Sequence, residues 1–439
     1  MQSKRRVVLA TFGSHGDLHP FLAIALCLQQ HGITPVLAAA AIYRDKVEAE
    51  DIEFCHMRPD PEDVLRRTGL DQSQLVRAVQ RQPQFLLREL LLPHLEQSYQ
   101  DSLNAVRGAD LVVTHSAAYG AKLAAEKLGV PHLGIALQPL MFFSAFDPPL
   151  FGPLPWLSRC INRLGPFWTR ALLDVGKRMV RRWSAPIDQL RHSIGLPAAA
   201  NPLFEGQFTA LGTIALYSCV LGQLQPDMPP GTHITGFAFY DHEHGRPAPL
   251  SPSLVSFFAE EPRPLIFTLG TAAVHDAAQF MEESLAAVRT LRTRAIFVLD
   301  AEQQQRWSRY TSREVMITDY VPYSLLFPHG ELIVHHGGIG TVAQALRAGR
   351  PQLVVPYLVD QPDNAQRITR LGVARTLPLK HFRRARIVQE LQHMLIEPSY
   401  RERASAVGEQ VRRERGAEAA AQIILDVLAR LTDVATTAT

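Results

Sequence analysis

The sequence predicts an α/β protein made of two doubly wound parallel sheets. Apolar, β-branched runs typical of buried strands alternate with amphipathic segments typical of helices, and this alternation starts twice, near residue 6 and near residue 264. The chain has 439 residues, which is long for one hydrophobic core, so two domains are expected. A proline-rich stretch at 226–263 lies between the halves and has the composition of an interdomain linker.

The first half opens with a β-loop-α-β unit. A strand is predicted at 6–12 and a glycine-containing loop at 13–19, after which Pro20 is predicted to open a helix that ends at Gly32. A second strand is predicted at 35–40. No acidic residue closes that strand, as a dinucleotide-binding unit would need for the ribose, so the sequence disfavours a dehydrogenase.

The rest of the first half continues the alternation. It is predicted to contain a mixed helical region at 60–106, a strand at 110–114, a helix at 117–128 and a strand at 131–137. In doubly wound sheets, ligands bind outside the carboxyl ends of the strands. The loops at 13–19, 115–119 and 138–144 leave such ends, so they should converge on one cleft.

The second half repeats this architecture without clear sequence repetition. Its predicted elements are strands at 264–269, 294–299, 315–318, 332–334, 352–355 and 373–379, and helices at 278–291, at 341–348 and from 387 onward. The last residues, 434–439, are expected to fray.

The stretch 331–364 carries the clearest functional signal. Gly337, Gly338 and Gly340 lie between a predicted strand and a predicted helix. Free backbone N–H groups and the positive end of the helix dipole make such a place suitable for an anion, usually a phosphate. The glycines match neither a P-loop nor a dinucleotide fingerprint, and alone they slightly favour an ordinary tight turn.

Polar side chains flank this loop. His335 and His336 precede the glycines and could donate to phosphate oxygens. After the next strand come Asp360, Gln361, Asp363 and Asn364, which have the right chemistry for sugar hydroxyls. A solvated loop is the alternative for that cluster, but the histidines, glycines, helix start and polar cluster together favour a binding site.

Taken together, these residues resemble the donor-binding signature of family 1 nucleotide-sugar glycosyltransferases, which have the GT-B fold. The matching segments, in the family's order and spacing, are Tyr320-Val321-Pro322-Tyr323, His335-His336-Gly337-Gly338-Ile339-Gly340-Thr341, Pro356 and Asp360-Gln361-Pro362-Asp363-Asn364. The resemblance extends to the N-terminus and implies two Rossmann-like domains facing across a cleft. It divides the chain into an acceptor-binding domain at 1–225, the linker at 226–263, a donor-binding domain at 264–415 and a C-terminal helix at 416–439 that packs back toward the first domain.

The resemblance also implies the members of the donor site. They are Gly270, Thr271, Tyr320, Val321, His335, Gly337, Gly338, Gly340, Thr341, Asp360, Gln361 and Asn364. His335 should face the diphosphate together with the backbone amides of the glycine loop, and Asp360 should hold sugar hydroxyls. Tyr320 stands in for the family's usual Trp and should stack on a pyrimidine. Whether the base is uracil or thymine stays open, so donors of the UDP-glucose and dTDP-rhamnose types both fit.

The general base for the acceptor hydroxyl is expected in the N-terminal half. The segment Gly16-Asp17-Leu18-His19-Pro20 places Asp17 where many plant members carry a histidine, and it resembles bacterial members that act on natural products, sterols or lipids. Asp17 is therefore the predicted base, with His15 and His19 as competitors. The alternative is that Asp17 only stabilises a helix N-terminus electrostatically.

The acceptor is expected to be a hydrophobic small molecule. Its predicted contacts are Ser14, His115, Tyr119, Phe142, Phe143 and Phe146, the last three from an aromatic and proline-rich stretch at 139–155. A surface loop that covers helix ends explains that stretch equally well. Basic residues dominate 156–192, which fits a solvated face or a weak peripheral contact with an anionic membrane.

Composition narrows the function classes further. A net charge of +3 does not call for nucleic acid, and four widely spaced cysteines without a C-x-x-C pair indicate neither a zinc site nor a disulfide framework. The sequence shows no signal-peptide pattern and no uncharged apolar run near ~20 residues, so a cytoplasmic enzyme is expected. No metal and no cofactor besides the nucleotide sugar is predicted.

The predicted function is an inverting, metal-independent hexosyltransferase. It would move a sugar from a UDP- or dTDP-activated donor to a hydroxyl of a natural product, sterol or lipid. A rhamnosyltransferase that uses dTDP-L-rhamnose and a hydroxyalkanoyl lipid is one alternative. A non-catalytic GT-B helper protein and a sugar-nucleotide epimerase are two others.

Overall fold

The computed structural model describes residues 5–150, 165–243, 246–247, 249–270, 278–357 and 360–437. Two parallel sheets organise these residues, and both faces of each sheet are covered. In the first strand, Val7 and Leu9 belong to one hydrophobic cluster while Val8 and Ala10 belong to another on the opposite face. This two-sided burial is the reason that the strands are nearly continuous apolar runs in the sequence.

The first sheet is doubly wound. Its strands are β1 (Arg6–Ala10), β2 (Thr34–Ala39), β3 (Glu53–His56), β4 (Leu111–His115), β5 (His132–Ala136), β6 (Thr213–Ala215) and β7 (Thr232–Ile234). They pair in parallel in the order β3-β2-β1-β4-β5-β6-β7. The order reverses between β1 and β4, and a doubly wound sheet binds its ligand at such a switch point.

The second sheet repeats this arrangement. A short antiparallel pair, β8 (His242–Glu243) and β9 (Arg246–Pro247), precedes it. Its own strands are β10 (Leu265–Thr268), β11 (Ala295–Val298), β12 (Val315–Thr318), β13 (Leu332–His335), β14 (Gln352–Val354) and β15 (Ala374–Thr376). They pair in the order β12-β11-β10-β13-β14-β15, so the switch point lies between β10 and β13.

Helices cover the sheets. The α-helices are α1 (His15–Gln30), α2 (Arg44–Glu48), α3 (Pro61–Thr68), α4 (Gln72–Arg81), α5 (Leu95–Val106), α6 (Tyr119–Leu128), α7 (Pro166–Val180), α8 (Ala185–Ser193), α9 (Pro252–Phe258), α10 (Ala278–Leu291), α11 (Ala301–Trp307), α12 (Tyr323–Leu326), α13 (Ile339–Arg347), α14 (Gln361–Arg370), α15 (Arg384–Ile396), α16 (Pro398–Arg413) and α17 (Gly416–Thr437). Short 3₁₀ helices span Ala41–Tyr43, Leu92–His94, Pro139–Phe142, Arg181–Ser184, Glu205–Gln207, Ser308–Tyr310, Phe327–His329 and Leu379–His381, and a π-helix spans Leu86–Leu91. No helix in the described ranges combines the length and the apolar character needed to cross a membrane.

Helix α1 begins at His15, earlier than the predicted start at Pro20. Ser14 caps it: the Ser14 hydroxyl accepts from the N–H of Gly16, and the Asp17 carboxylate accepts from the N–H of Ser14 at 2.7 Å. This reciprocal capping box satisfies backbone groups that the helix start leaves without partners, and it outweighs the hydrogen bond that Pro20 cannot donate. Asp17 therefore lies in the first turn of a helix rather than in a loop.

The proline-rich stretch predicted as a linker contributes to both domains. Strand β7 lies within it and pairs with β6, so the first sheet continues past the predicted boundary at residue 225. Helix α9 also lies within it, and its Leu254 and Phe257 pack in the second domain's core beside Ile266. The segment that joins the two sheets is therefore shorter than the predicted linker.

The C-terminal helix returns to the first domain. Ala420, Ile424 and Val427 of α17 are buried in the same cluster as Leu22 and Leu28 of α1. A further cluster joins the two halves and contains residues of both, including Phe142 and Tyr217 from the first and Val342 and Ile368 from the second. These two clusters fix the two sheets relative to each other.

Candidate active site

Two helices, one from each domain, have N-termini that lie next to each other. Helix α1 follows β1, helix α13 follows β13, and both strands lie at the switch points of their sheets. A β-carbon built on Gly340 would lie 3.3 Å from the Cα of Gly16, so glycine permits this close approach. Because each helix start carries a partial positive charge, the cleft between the domains favours an anion there.

The two helix starts differ in how their backbone groups are satisfied. Ser14 and Asp17 cap α1 through side chains, whereas the N-cap residue of α13 is Gly338, which has no side chain to offer. The amides in the first turn of α13 are therefore the ones available to a ligand. Gly340 and Thr341 lie in that turn, as the prediction for the diphosphate requires.

His335 supports the glycine turn from beneath. Its ring is fully buried; Nδ1 accepts from the N–H of Gly337 at 3.0 Å, and Nε2 donates to Oε1 of Gln352 at 2.9 Å. Burial lowers the pKa of His335 to about 4, so it is neutral. Both ring nitrogens are engaged by the protein, which corrects the prediction that His335 donates directly to the diphosphate. Gly337 itself has φ = 94°, a value that requires glycine.

His336, predicted together with His335 as a possible donor to phosphate oxygens, has its ring beside the start of α13. A β-carbon on Gly338 would lie 2.4 Å from its Nε2, and one on Gly270 would lie 2.5 Å from its Cε1. Within the part of the chain that the structure describes, Nδ1 of His336 is buried without a hydrogen-bond partner, and burial lowers the pKa of the ring to about 3. Adjacent side chains of an extended segment point to opposite sides, which explains why only one of the two histidines holds the turn.

The two carboxylate oxygens of Asp17 have different surroundings. Its Oδ2 accepts from the N–H and the hydroxyl of Ser14 at 2.7 and 3.2 Å. Its Oδ1 lies 3.7 Å from Nε2 of His115. Nδ1 of His115 accepts from the N–H of Ala117 at 3.2 Å, so the proton of this neutral ring is on Nε2 and faces Asp17. His115, predicted as an acceptor contact, thus lies behind the predicted base.

The two competing histidines are weaker candidates for the base. Burial, reinforced by the charge of Lys46, lowers the pKa of His15 to about 4 and also lowers the pKa of His19 well below its usual range. Nε2 of His19 accepts from Nζ of Lys46 at 3.2 Å, so its lone pair is already occupied. His15 stacks against Tyr320 of the other domain, with ring centroids 6.5 Å apart.

The predicted base-stacking residue lies on the opposite wall of the cleft. Tyr320 is 41% exposed, whereas the neighbouring Val321 is buried in the second domain's core. Tyr323 stands where the family often has Gln, and its hydroxyl is engaged at 2.7 Å by Thr268 inside the domain. Tyr320 is therefore the exposed aromatic side chain of this segment, and it contacts His15 and Lys46 of the first domain.

The predicted sugar-binding residues form the first turn of α14. Asp360 precedes this helix, and burial, with a contribution from the charge of Asp17, raises the pKa of its carboxyl to about 7. Gln361 is turned inward: its Oε1 accepts from the N–H of Tyr357 at 2.7 Å. Thr271, predicted in the adjoining loop, lies outside the described residues.

Asn364 is a connector between the two domains. Its Nδ2 donates to the carbonyl of Gly337 at 3.1 Å, to Asp360 at 3.0 Å and to Oε1 of Gln138 in the first domain at 3.3 Å. The side chain is fully buried. It therefore ties the glycine turn to the opposite domain.

A cavity of about 150 Å³ opens beside the start of α1. It lies at the carboxyl ends of β1, β2 and β3, and apolar side chains dominate its lining. Among the lining residues are Phe12, Ser14, Ile42, Tyr43, Val64 and Leu90. Ser14 was predicted as an acceptor contact. The others were not, because they come from three different connections that the fold brings together. Tyr119 lines a smaller neighbouring cavity that also contacts Phe12.

The three predicted phenylalanines do not form one acceptor wall. Phe142 is buried at the domain interface, where it stacks on Phe208 with ring centroids 5.4 Å apart. Phe143 packs edge-on against Phe204 at 4.7 Å, and Phe146 is 44% exposed. Only the last two remain near enough to the surface to meet a ligand, and neither contributes to the 150 Å³ cavity.

A buried ionic network joins the loop after β5 to helix α14. Arg367 is 4% exposed and pairs with Asp363 at 2.7 Å and with Asp147 of the first domain. Asp363 also accepts from the N–H of Leu150 at 2.8 Å. Because α14 carries the predicted sugar-binding residues, this network sets their position relative to the first domain. The sequence analysis did not predict this network, because Asp147 is 220 residues from Arg367 along the chain.

We predict that Arg367→Met destabilises the protein by about 3–5 kcal/mol, because it leaves the buried Asp363 without its partner. Arg370→Met is the matched control, since Arg370 lies on the same helix, is half-exposed and is 3.5 Å from Asp147. Its loss should cost less than about 1 kcal/mol. Denaturant unfolding of both variants measures the difference, and equal losses would contradict the role assigned to the network.

Comparisons with known proteins show what this chain is similar to. Residues 7–139 match the family model of the glycosyltransferase family 28 N-terminal domain, and residues 282–429 match that of the erythromycin biosynthesis protein CIII-like C-terminal domain. Two relatives align along nearly the whole chain. The O-mycaminosyltylonolide 6-deoxyallosyltransferase of Streptomyces fradiae is 30% identical over 95% of this chain and 96% of its own. The vancomycin aglycone glucosyltransferase of Amycolatopsis orientalis is 26% identical over 97% and 98%.

A solved structure supports the two-domain architecture. The calicheamicin glycosyltransferase CalG4 superimposes with a TM-score of 0.70 over 98% of this chain and 99% of that chain, at 16% sequence identity. At this low sequence identity, the structural similarity is evidence for the fold alone. It confirms the predicted arrangement of two Rossmann-like domains.

Proposed function

Because this chain belongs to the family 1 glycosyltransferases of the GT-B fold, we propose that it transfers a sugar, with inversion, from a pyrimidine nucleotide to a hydroxyl of a hydrophobic acceptor. One observation carries the proposal. The approach of Gly16 to Gly340 sets Asp17, one residue further on, beside the start of the donor-domain helix α13. A base and a diphosphate site then share one cleft, as a single displacement requires.

Asp17 is the proposed general base. Its Oδ1 takes the proton of the acceptor hydroxyl while the hydroxyl oxygen forms a bond to the anomeric carbon of the donor sugar. Ser14 holds the other carboxylate oxygen and His115 lies behind Oδ1, so the carboxylate has little freedom to turn away. Such positioning keeps the base within reach of the reacting proton.

The nucleoside diphosphate leaves as the bond from the anomeric carbon to its phosphate oxygen breaks. The negative charge that develops on this oxygen faces the uncapped amides of Gly340 and Thr341 and the positive end of the α13 dipole. His336 adds a neutral N–H donor at the same helix start. These donors are fixed before the reaction begins, and the scheme uses no metal ion.

The two sides of the cleft suggest the substrate classes. Tyr320 is the proposed stacking partner for uracil or thymine, and Asp360 is the proposed partner for sugar hydroxyls. With a pKa raised to about 7, the Asp360 carboxyl can either donate to or accept from a hydroxyl near neutral pH. The apolar cavity beside α1 favours a hydrophobic acceptor. The two relatives named above act on a glycosylated tylonolide and on vancomycin aglycone, which supports a natural-product acceptor.

We predict that Asp17→Asn lowers the transfer rate by about 10²–10⁴-fold, the usual contribution of a general base, while nucleotide affinity stays unchanged. The asparagine can still accept from Ser14, so the helix cap is retained. His15→Gln and His19→Gln serve as matched comparisons and should retain most of the activity. Mass spectrometry of the glycosylated acceptor measures each rate. Full turnover by Asp17→Asn together with loss in a histidine variant would reassign the base.

We also predict that UDP and dTDP raise the unfolding temperature, whereas ADP and GDP at equal concentration do not. A ligand present at 100 times its Kd stabilises the folded state by about 2.7 kcal/mol. The donor nucleotide is the one, UDP or dTDP, that raises the unfolding temperature more. The Tyr320→Ala variant should show a smaller rise with that nucleotide. Equal shifts with purine nucleotides would refute Tyr320 as the residue that selects a pyrimidine.

A further inference from the structure

Helix α7 presents an apolar face to solvent. Phe167, Trp168 and Met179 are 76%, 61% and 70% exposed, and Leu172 and Val175 are also exposed. The opposite side of the helix anchors it, since Thr169 and Leu173 are buried against the rest of the protein. With a turn of 100° per residue, the exposed apolar residues cover an arc of about 140°. Soluble proteins seldom leave such a contiguous apolar surface without a function.

The charges around this face are mainly positive. Arg178 is exposed, and the helical spacing places it within the same arc; Arg182 is exposed in the 3₁₀ turn that follows. Neither has an ion-pair partner among the described residues. The other basic residues of this segment are neutralised: Arg170 by Asp227, Lys177 by Glu205 and Arg181 by Asp188. Asp174 is the acidic residue of the helix, and it lies at the border of the arc.

The combination of exposed apolar side chains and exposed arginines indicates which kind of partner binds this face. The charge at this face is positive, because Arg178 lies within the arc of α7 and Arg182 follows it, so a negatively charged surface is the complementary partner. A bilayer interface accommodates apolar and aromatic side chains at the level of the acyl chains, while arginines extend to anionic headgroups. We propose that the exposed face of α7 docks onto the surface of an anionic lipid bilayer.

The docked helix would lie close to the active-site cleft. Asp227, the partner of Arg170 on α7, also accepts from the Ser144 hydroxyl at 2.6 Å and from the N–H of Ala145 at 2.8 Å. These two residues belong to the loop that joins the ionic network at Asp147. Docking on α7 therefore brings the first-domain side of the cleft toward the membrane, independently of which sugar the protein transfers.

The test is flotation of the full-length protein with lipid vesicles. The wild type should bind vesicles of phosphatidylcholine with phosphatidylglycerol, should bind pure phosphatidylcholine vesicles weakly, and should be released by high salt, which screens the arginines. The variant Phe167→Ser/Trp168→Ser/Met179→Ser should bind at least about tenfold more weakly, because it removes most of the apolar area that enters the interface.

A matched control removes exposed apolar residues elsewhere. The variant Val255→Ser/Ile396→Ser changes side chains that are 54% and 79% exposed and belong to the second domain, so it should bind vesicles like the wild type. Circular dichroism of both variants confirms that they fold. No binding by the wild type, or equal binding by the α7 variant and the control variant, would overturn the proposal. Concentration-dependent dimerisation that only the α7 variant abolishes would show that a second copy covers this face instead.

Discussion

The structure depends on the meeting of two helix N-termini at Gly16 and Gly340. Each helix start carries a partial positive charge, so two adjacent helix starts repel each other. A negatively charged group between or beside them offsets this repulsion. The protein supplies Asp17 to one of them as part of a capping box and leaves the other, on α13, without a side-chain cap. The proposed diphosphate would supply the negative charge at the second helix start. The same constraint therefore sets the position of the proposed base and the position of the proposed leaving group.

Contacts between the domains maintain this meeting point. Asn364 connects the glycine turn to Gln138, and Arg367 connects the donor helix to Asp147, both from buried positions. The C-terminal helix adds an apolar contact with α1, the helix that carries Asp17. Each connection ends on an element that holds a proposed functional residue. Catalytic geometry in this protein is thus a property of the interface rather than of either sheet alone.

The sequence predicted the features that depend on local pattern. Apolar runs located the long strands, and glycines with flanking polar residues located the donor helix. It did not predict features that depend on which side of the chain faces inward. His335 and His336 are adjacent, and only the fold decides that the first supports the turn. Phe142 lies in an aromatic loop but is buried, because the loop folds into the domain interface. The start of α1 was missed because a capping box outweighs a proline in the second turn.

A structure of the complex with UDP or dTDP tests the central claim most directly. The account predicts that the diphosphate oxygens lie within about 2.7–3.2 Å of the backbone amides of Gly340 or Thr341. The Oδ1 atom of Asp17 should then face the side of the diphosphate where the sugar would be attached. A nucleotide whose phosphates lie away from the start of α13, or on the far side of the cleft from Asp17, would contradict the account.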